Sequence, residues 1–192
     1  MMFRSFRRTD QAGTIGALYG AIVAQARHPT FYRCYRVPDT IDGRFDMIVL
    51  HVALFSRRIR GESGAVRALG QAVFDRFCRD MDHNLREMGI GDLAVPKRMR
   101  DFGEAFYGRA QSYDRALASG DDRTLIATLA KNVFARPGEA PPEASRLARY
   151  VRAAEHVLAA QNGADFLAGA LAFPAPDTIF PGQNERSGMP SE

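Results

Sequence analysis

The chain has 192 residues, of which 46% are hydrophobic and 25% are charged, a size that suits one domain with a buried core rather than two. The formal net charge of +4 comes mostly from arginines spread along the chain, which favours acidic partners in general and gives no reason to expect DNA binding. Two cysteines without CxxC spacing, and the lack of any run of about 18 apolar residues, argue against a disulfide framework and a membrane-spanning helix.

The first 13 residues are predicted to form a flexible N-terminus, because they precede the first periodic apolar segment and contain no clear signal-peptide cleavage site. Their aromatic and basic side chains also suit contact with an anionic lipid surface, whereas a frayed terminus is the simpler interpretation. The side chains concerned are Phe3, Arg4, Phe6, Arg7 and Arg8.

Two short predictions cover the next part of the chain. Apolar residues recur at helical spacing from Thr14 to Ala26, and a His-Pro pair ends this helix. The aromatic stretch at 30–43 is interrupted by Pro38 and Gly43, which predicts a short helix or a packed loop.

The segment from Phe45 to Ile59 is apolar enough to be a buried strand, but its apolar residues repeat at helical intervals over about four turns. Because this length exceeds that of an ordinary strand, we expect a buried helix. Gly61 is expected to end it, and cations near its end complement the helix dipole. These cations are Arg57, Arg58 and Arg60.

The next helix begins after Ser63, runs to about Met88 and has Gly89 as a suitable C-cap. One apolar stripe follows it for six turns: Val66, Leu69, Val73, Phe77, Met81, Leu85 and Met88. Charged residues off this stripe pair at four-residue spacing, which is typical of a solvated face with weak ion pairs. These pairs are Asp75 with Arg79, Asp82 with Arg86, and His83 with Glu87.

The second half of the chain contains four more helical segments. Pro96 suits the first position of a helix that runs to about Gly120. Asp121 or Asp122 is expected to cap a shorter helix that ends at an Arg-Pro-Gly turn. The two remaining helical segments are residues 143–161 and 166–171.

No segment shows the two-residue alternation of strands. The fold class is therefore all-α, a single-domain bundle of about six to eight helices. We assign residues 14–173 to this domain, and residues 174–192, whose composition is typical of disorder, to a flexible tail.

The sequence contains no recognisable catalytic, cofactor or metal site. Its four histidines form no close pair, and the glycine motifs of nucleotide-binding loops are absent. The apolar surroundings of His51 predict a satisfied core histidine, and the charged surroundings of His83 predict an exposed one that can make a pH-sensitive contact. Haem ligation is an alternative, with His51, His83, Cys34 and Cys78 as candidates that no spacing supports.

Three cations occupy the first turns of the helix that begins at Pro96: Lys97, Arg98 and Arg100. Positive charge is unfavourable there, because the unpaired backbone N–H groups already form the positive end of the helix dipole. This pattern predicts a site for an anionic partner. Neutralisation by Asp92, Asp101 or Glu104 is the alternative.

Two blocks resemble the ubiquinol-cytochrome c chaperone family: "DGRFDMIVLHVALFSRRIR" from Asp42 and "FDRFCRDMDHNLREMGIGDLAVPKRMRDFGEAFYGR" from Phe74. The most specific positions are Asp82, Leu85, Arg86, Glu87, Met88, Gly89, Gly91, Val95, Pro96, Lys97, Gly108 and Arg109. The resemblance extends over about residues 14–170, and the Arg- and Ala-rich composition without a transit peptide is similar to that of an α-proteobacterial member.

The resemblance implies a non-enzymatic chaperone with an all-α fold, which binds newly made cytochrome b and assists assembly of ubiquinol-cytochrome c reductase. It also implies the ribosome as a further partner, because mitochondrial relatives act near the tunnel exit with a small partner protein. The expected location is the cytoplasm, including the inner face of the cytoplasmic membrane as a peripheral protein.

We predict a partner surface on two adjacent helices, where mixed charge suits specificity and orientation more than raw affinity. It consists of Asp75, Arg79, Asp82, His83, Arg86, Lys97, Arg98 and Arg100. Aromatic side chains and methionines are candidates for a client groove, with burial in the core as the alternative. They are Phe31, Tyr32, Tyr35, Phe106 and Tyr107, with Met81, Met88 and Met99.

Two other functions stay open at this point. A small-molecule or haem-binding helical protein predicts an enclosed pocket that contains His51, His83 or a cysteine. A membrane-surface adaptor predicts that the first eight residues bind anionic vesicles.

Overall fold

The computed structural model describes the backbone of residues 2–87 and 89–179, and the side chains of residues 11–87 and 89–179. The helices in this part of the chain are α1 Met2–Ala26, α2 Pro29–Arg33, α3 Ile41–Ile59, α4 Gly64–Glu87, α5 Val95–Ala118, α6 Asp122–Asn132, α7 Pro142–Ala160, α8 Gly163–Leu167 and α9 Pro176–Ile179. Six of them have 11 residues or more, and no strand occurs in the described residues. The all-α prediction is confirmed.

Helix α3 is the centre of the bundle and packs against α1, α4, α5 and α7. Its residues from Met47 to Phe55 are all buried, because apolar side chains surround the helix rather than forming one stripe. Thr40 caps its start by accepting a hydrogen bond from the Gly43 amide at 3.1 Å. A Cβ at Gly43 would collide with the Pro38 carbonyl, so this approach requires glycine.

Helices α4 and α5 lie against each other and against α3. The predicted stripe of α4 is buried at Leu69, Val73, Phe77 and Met81. Gly89 has a φ of 79°, a left-handed conformation that confirms it as the helix-ending residue. Helix α5 begins one residue before the predicted start, with Val95 buried beneath its first turn.

Several predicted boundaries differ from the structure. Helix α1 begins at Met2 rather than at residue 14, so helical backbone extends into the segment that we expected to be flexible. The proposed lipid-contacting side chains of residues 3–8 lie outside the described side chains. Asp121 is the N-cap of α6, and α8 begins at Gly163 behind a capping box formed by Asn162 and Asp165.

The predicted tail begins too early, because residues 170–179, which we name the C-terminal strap, pack on the bundle. Gln25 donates a hydrogen bond to the Pro174 carbonyl at 2.9 Å, and Tyr35 donates one to the Pro176 carbonyl at 2.7 Å. Gln161 exchanges two hydrogen bonds with the backbone of Ala172. The strap's backbone groups thus form hydrogen bonds with side chains of other segments. Amino-acid composition alone does not predict these contacts. Residues 180–192 lie outside the described part of the chain.

Candidate partner-binding surface

The α4 part of the partner surface is a chain of exposed polar contacts. Arg86 Nε donates a hydrogen bond to Asp82 Oδ2 at 2.8 Å, and His83 Nε2 lies 3.1 Å from Glu87 Oε1. These contacts confirm two of the three predicted pairs. The third prediction is wrong, because Asp75 accepts its hydrogen bond from Gln71 at 2.8 Å instead of pairing with Arg79. The Arg86 hydrogen bond lowers the pKa of Asp82 below its ordinary value.

Arg86 also joins α4 to the turn before α5 through an ion pair with Asp92. This pair removes Asp92 from the carboxylates that we considered as partners for the three cations of α5. Those cations are exposed, and none of them forms an ion pair within the described residues. The first turn of α5 contains no acidic residue, and its N-cap, Ala94, provides no side-chain acceptor. The structure therefore leaves this cluster of positive charge uncompensated.

An aromatic cluster fills the interface between α4 and α5. The ring of Phe77 lies 5.4 Å from Phe102 and 5.6 Å from Phe106, and Phe74 lies 5.0 Å from Phe106. These tilted rings have the spacing of favourable aromatic pairs. Phe77 is fully buried, whereas Tyr107 at the edge of the cluster is 63% exposed. The cluster thus extends from the core to the surface.

A cleft of 230 Å³ opens beside this exposed edge, between the end of α3, the first half of α4 and the middle of α5. We call it the aromatic cleft, and its principal lining residues are Arg60, Arg67, Gln71, Phe74, Phe106 and Tyr107. Arg60 forms an ion pair with Asp114. No carboxylate side chain is among the described residues that line the cleft.

The predicted groove of five aromatic residues is wrong as a single site. Phe31 and Tyr35 are fully buried and pack against Tyr150 of α7. Phe106 and Tyr107 belong to the separate cluster on α5. The remaining members are dispersed, since Tyr32 and Met99 are half-buried, Met81 is buried, and the Met88 side chain lies outside the described residues.

His51 is the satisfied core histidine that the sequence predicted. Its side chain is fully buried, with Nδ1 lying 2.7 Å from the Met47 carbonyl and Nε2 lying 2.8 Å from the Tyr150 hydroxyl. Both ring nitrogens are therefore engaged, which contradicts the haem-ligand alternative at this residue. Burial lowers the pKa of His51 to about 4, so the imidazole is neutral near pH 7.

The other candidate ligands do not converge. His83 is exposed, and the half-buried thiols of Cys34 and Cys78 lie on different elements. The described residues contain no group of three or more potential metal ligands. A larger cleft of 760 Å³ lies between α5 and α6, and its lining includes Arg109, Lys131 and Asn132 but neither histidine nor cysteine.

An interhelical ion-pair network was missed by the sequence reasoning, which assigned the α3 arginines to the helix dipole. Arg57 pairs with Asp114 of α5 and lies 3.2 Å from Glu155 of α7. Arg152 then lies 3.4 Å from Glu155 and 3.2 Å from Asp122. The network connects α3, α5, α6 and α7. Only Arg152 and Glu155 lie at helical spacing, and the pairs between helices join residues too far apart in sequence for any spacing rule.

Together, the all-α fold, the charged surfaces and the exposed aromatic edge are features of a protein-binding domain. No helix in the described part of the chain is long and apolar enough to cross a membrane. The chain belongs to the ubiquinol-cytochrome C chaperone family, whose model matches residues 33–173. This result confirms the family resemblance of the two sequence blocks.

Known relatives agree with this assignment. Ubiquinol-cytochrome-c reductase complex assembly factor 1 of Xenopus laevis is 27% identical over 150 residues, which cover 78% of this chain and 74% of the relative. The human protein of the same name is 27% identical over 150 residues but is covered over only 50% of its length. The crystal structure of the Cbp3 homolog from Brucella abortus superposes with a TM-score of 0.83 at 37% identity, covering 92% of this chain and 98% of that one.

Proposed function

We propose that this protein is a non-enzymatic assembly chaperone for ubiquinol-cytochrome c reductase, with newly made cytochrome b as its client. The observation that carries the proposal is the family match over residues 33–173. The names of the frog and human relatives support the target complex.

The partner surface is the part of the molecule that we propose for the client. Its α4 face carries both signs of charge over about three turns, so an approaching partner is oriented by attraction and repulsion together. The uncompensated cations of α5 add a site for a carboxylate or phosphate group, because no ion pair within the described residues competes for them. The ribosome, whose RNA is anionic, is a further proposed partner of the same cations.

We propose that this work takes place in the cytoplasm and at the inner face of the cytoplasmic membrane, where the client is inserted. Peripheral contact is assigned to the basic and aromatic N-terminus. Deleting the first eight residues should release the protein from anionic vesicles in a sedimentation assay, whereas unchanged sedimentation would contradict this assignment.

The function is tested by deleting the gene and measuring cytochrome b and ubiquinol-cytochrome c reductase activity in membranes. We expect both to fall while other respiratory complexes stay intact, and the wild-type gene to restore them. The surface is tested by a variant with Lys97→Glu, Arg98→Glu and Arg100→Glu, which should fail to restore the complex. A matched variant with Arg123→Glu and Arg136→Glu, at exposed sites on and after α6, should restore it.

The outcomes separate the two parts of the proposal. A normal level of the complex after deletion would overturn the function. If deletion removes the complex and both variants restore it, the proposed function stands but the proposed partner surface is refuted. Circular dichroism of the purified variants tests whether a failure to restore the complex arises from unfolding.

A further inference from the structure

The aromatic cleft lies on the N-terminal half of α4, whereas the partner surface occupies its C-terminal half. Its α4 residues lie between Arg67 and Phe74, whereas the partner surface begins at Asp75 and continues past the α4–α5 turn. Its volume of 230 Å³ is below the roughly 300–1,000 Å³ of ordinary small-molecule sites. The cleft therefore fits one or two side chains of another protein better than it fits a cofactor.

The apolar part of the cleft is already arranged for an anchor side chain. The ring of Tyr107 lies 6.0 Å from Phe74 and 5.7 Å from Phe106, so its neighbours hold it in place although it is 63% exposed. A rigid aromatic side chain loses little conformational freedom on binding, and tyrosine and arginine are enriched at the energetic centres of protein interfaces.

The charge of the cleft indicates which group of the partner would lie beside that anchor side chain. Two arginines line it without a lining carboxylate. Arg60 is paired with Asp114, but Arg67 is exposed and forms no ion pair within the described residues. Gln71, between Arg67 and Phe74 on α4, donates its side-chain amide hydrogen to Asp75. A free guanidinium next to an aromatic surface is suited to a carboxylate that follows an apolar anchor.

We propose that the aromatic cleft is a docking site for an acidic amphipathic helix of a partner protein. An aromatic or aliphatic side chain of this helix enters beside Tyr107, and a carboxylate on its flank pairs with Arg67. Three helices and no sheet edge form the walls, so recognition follows the helix-in-groove mode rather than strand addition. This site goes beyond the proposed function, which assigns the client to the C-terminal half of α4 and the start of α5.

The test uses the full chain and two labelled synthetic peptides. One is an amphipathic helix with Phe and Leu four residues apart and Glu on both flanks, and the other has Lys in place of every Glu. Fluorescence anisotropy at about 0.15 M salt should show binding of the acidic peptide only. Arg67→Glu should weaken that binding by about tenfold or more and create binding of the Lys peptide. Tyr107→Ala should weaken binding of the acidic peptide without creating binding of the Lys peptide.

Arg115→Glu is the matched control, because Arg115 is an exposed arginine of α5 that lies outside both the cleft and the partner surface. It should leave the affinity unchanged. An equal loss in this variant, equal binding of both peptides or no binding of the acidic peptide would overturn the proposal. So would a self-associated form in sedimentation velocity that Tyr107→Ala dissociates, because the occupant would then be a second copy. None of these results affects the proposed function, whose test alters other residues.

Discussion

Acidification should destabilise this protein through His51. The folded chain holds the imidazole fully buried with a pKa of about 4, whereas the ordinary value is 6.5. Because the folded pKa lies below the unfolded one, the unfolded chain binds the proton first, and stability falls as the pH drops from about 6.5 to about 4. The loss is about 2 kcal/mol at about pH 5 and approaches about 3 kcal/mol below pH 4.

The surroundings of His51 explain why the proton is unfavourable. Nδ1 faces the Met47 carbonyl, so Nε2 accepts the hydrogen bond of the Tyr150 hydroxyl. Tyr150 in turn accepts from Gln25 at 2.9 Å, and the ring of Phe173 lies 5.2 Å from the imidazole. A second N–H on the ring would face a hydroxyl whose proton already points toward it. The C-terminal strap, held by the same Gln25, should loosen with this network.

The assay is urea unfolding followed by far-UV circular dichroism at about pH 7.5 and about pH 5, for the wild type and His51→Gln. All other side chains are common to both proteins, so the difference between the two pH-dependent losses isolates His51. We expect the wild type to lose about 2 kcal/mol more than the variant. Equal losses would refute the reasoning, as would an NMR titration that gave the His51 ring in the folded protein an ordinary pKa.

Three further outcomes are expected. Gly70→Ala should lower the free energy of unfolding by about 1–3 kcal/mol, because its Cβ would collide with Ile59. Gly103→Ala, whose Cβ meets open space, should raise the free energy of unfolding by about 0.5–1 kcal/mol. If thermal unfolding showed Gly70→Ala to be the more stable of these two variants, the close packing of Gly70 against Ile59 would be contradicted. Arg57→Ala should cost about 2 kcal/mol through the interhelical network. Arg44→Ala, whose ion pair is exposed, should cost clearly less when both variants are compared by denaturant unfolding, and equal losses would contradict the role of the network. Removing residues 170–192 should lower the melting temperature more than removing residues 180–192 alone. Equal melting temperatures for the two truncations would show that the strap contributes nothing.

Helix positions were accessible from the sequence because their signals are local. The apolar spacing of residues 45–59 predicted a buried helix, and α3 spans Ile41–Ile59. Gly89 and Asp121 predicted helix ends through backbone conformation and capping, and both predictions are confirmed. The buried state of His51 followed from its apolar neighbours alone.

Part of the candidate site was equally local. The pairs of Asp82 with Arg86 and of His83 with Glu87 form because residues four apart share one helix face. The pair of Asp75 with Arg79 was predicted by the same rule, yet Gln71 is an equally spaced competitor and holds Asp75. Four-residue spacing places two side chains within hydrogen-bonding distance, but it does not determine which of two equally spaced neighbours forms the contact.

The sequence by itself determined the all-α class, the central apolar helix and the family, because these depend on short-range periodicity and on the two resembling blocks. Tertiary structure alone decided that Arg57 bridges α5 and α7, that Tyr107 rather than Phe31 reaches the surface, and that the C-terminal strap packs on the bundle. Each of these outcomes depends on the relative rotation of helices and on donors far away in sequence, such as Gln25 for the strap. Helical spacing defines one face of one helix, whereas close packing of several helices selects which parts of that face meet a partner and which stay exposed.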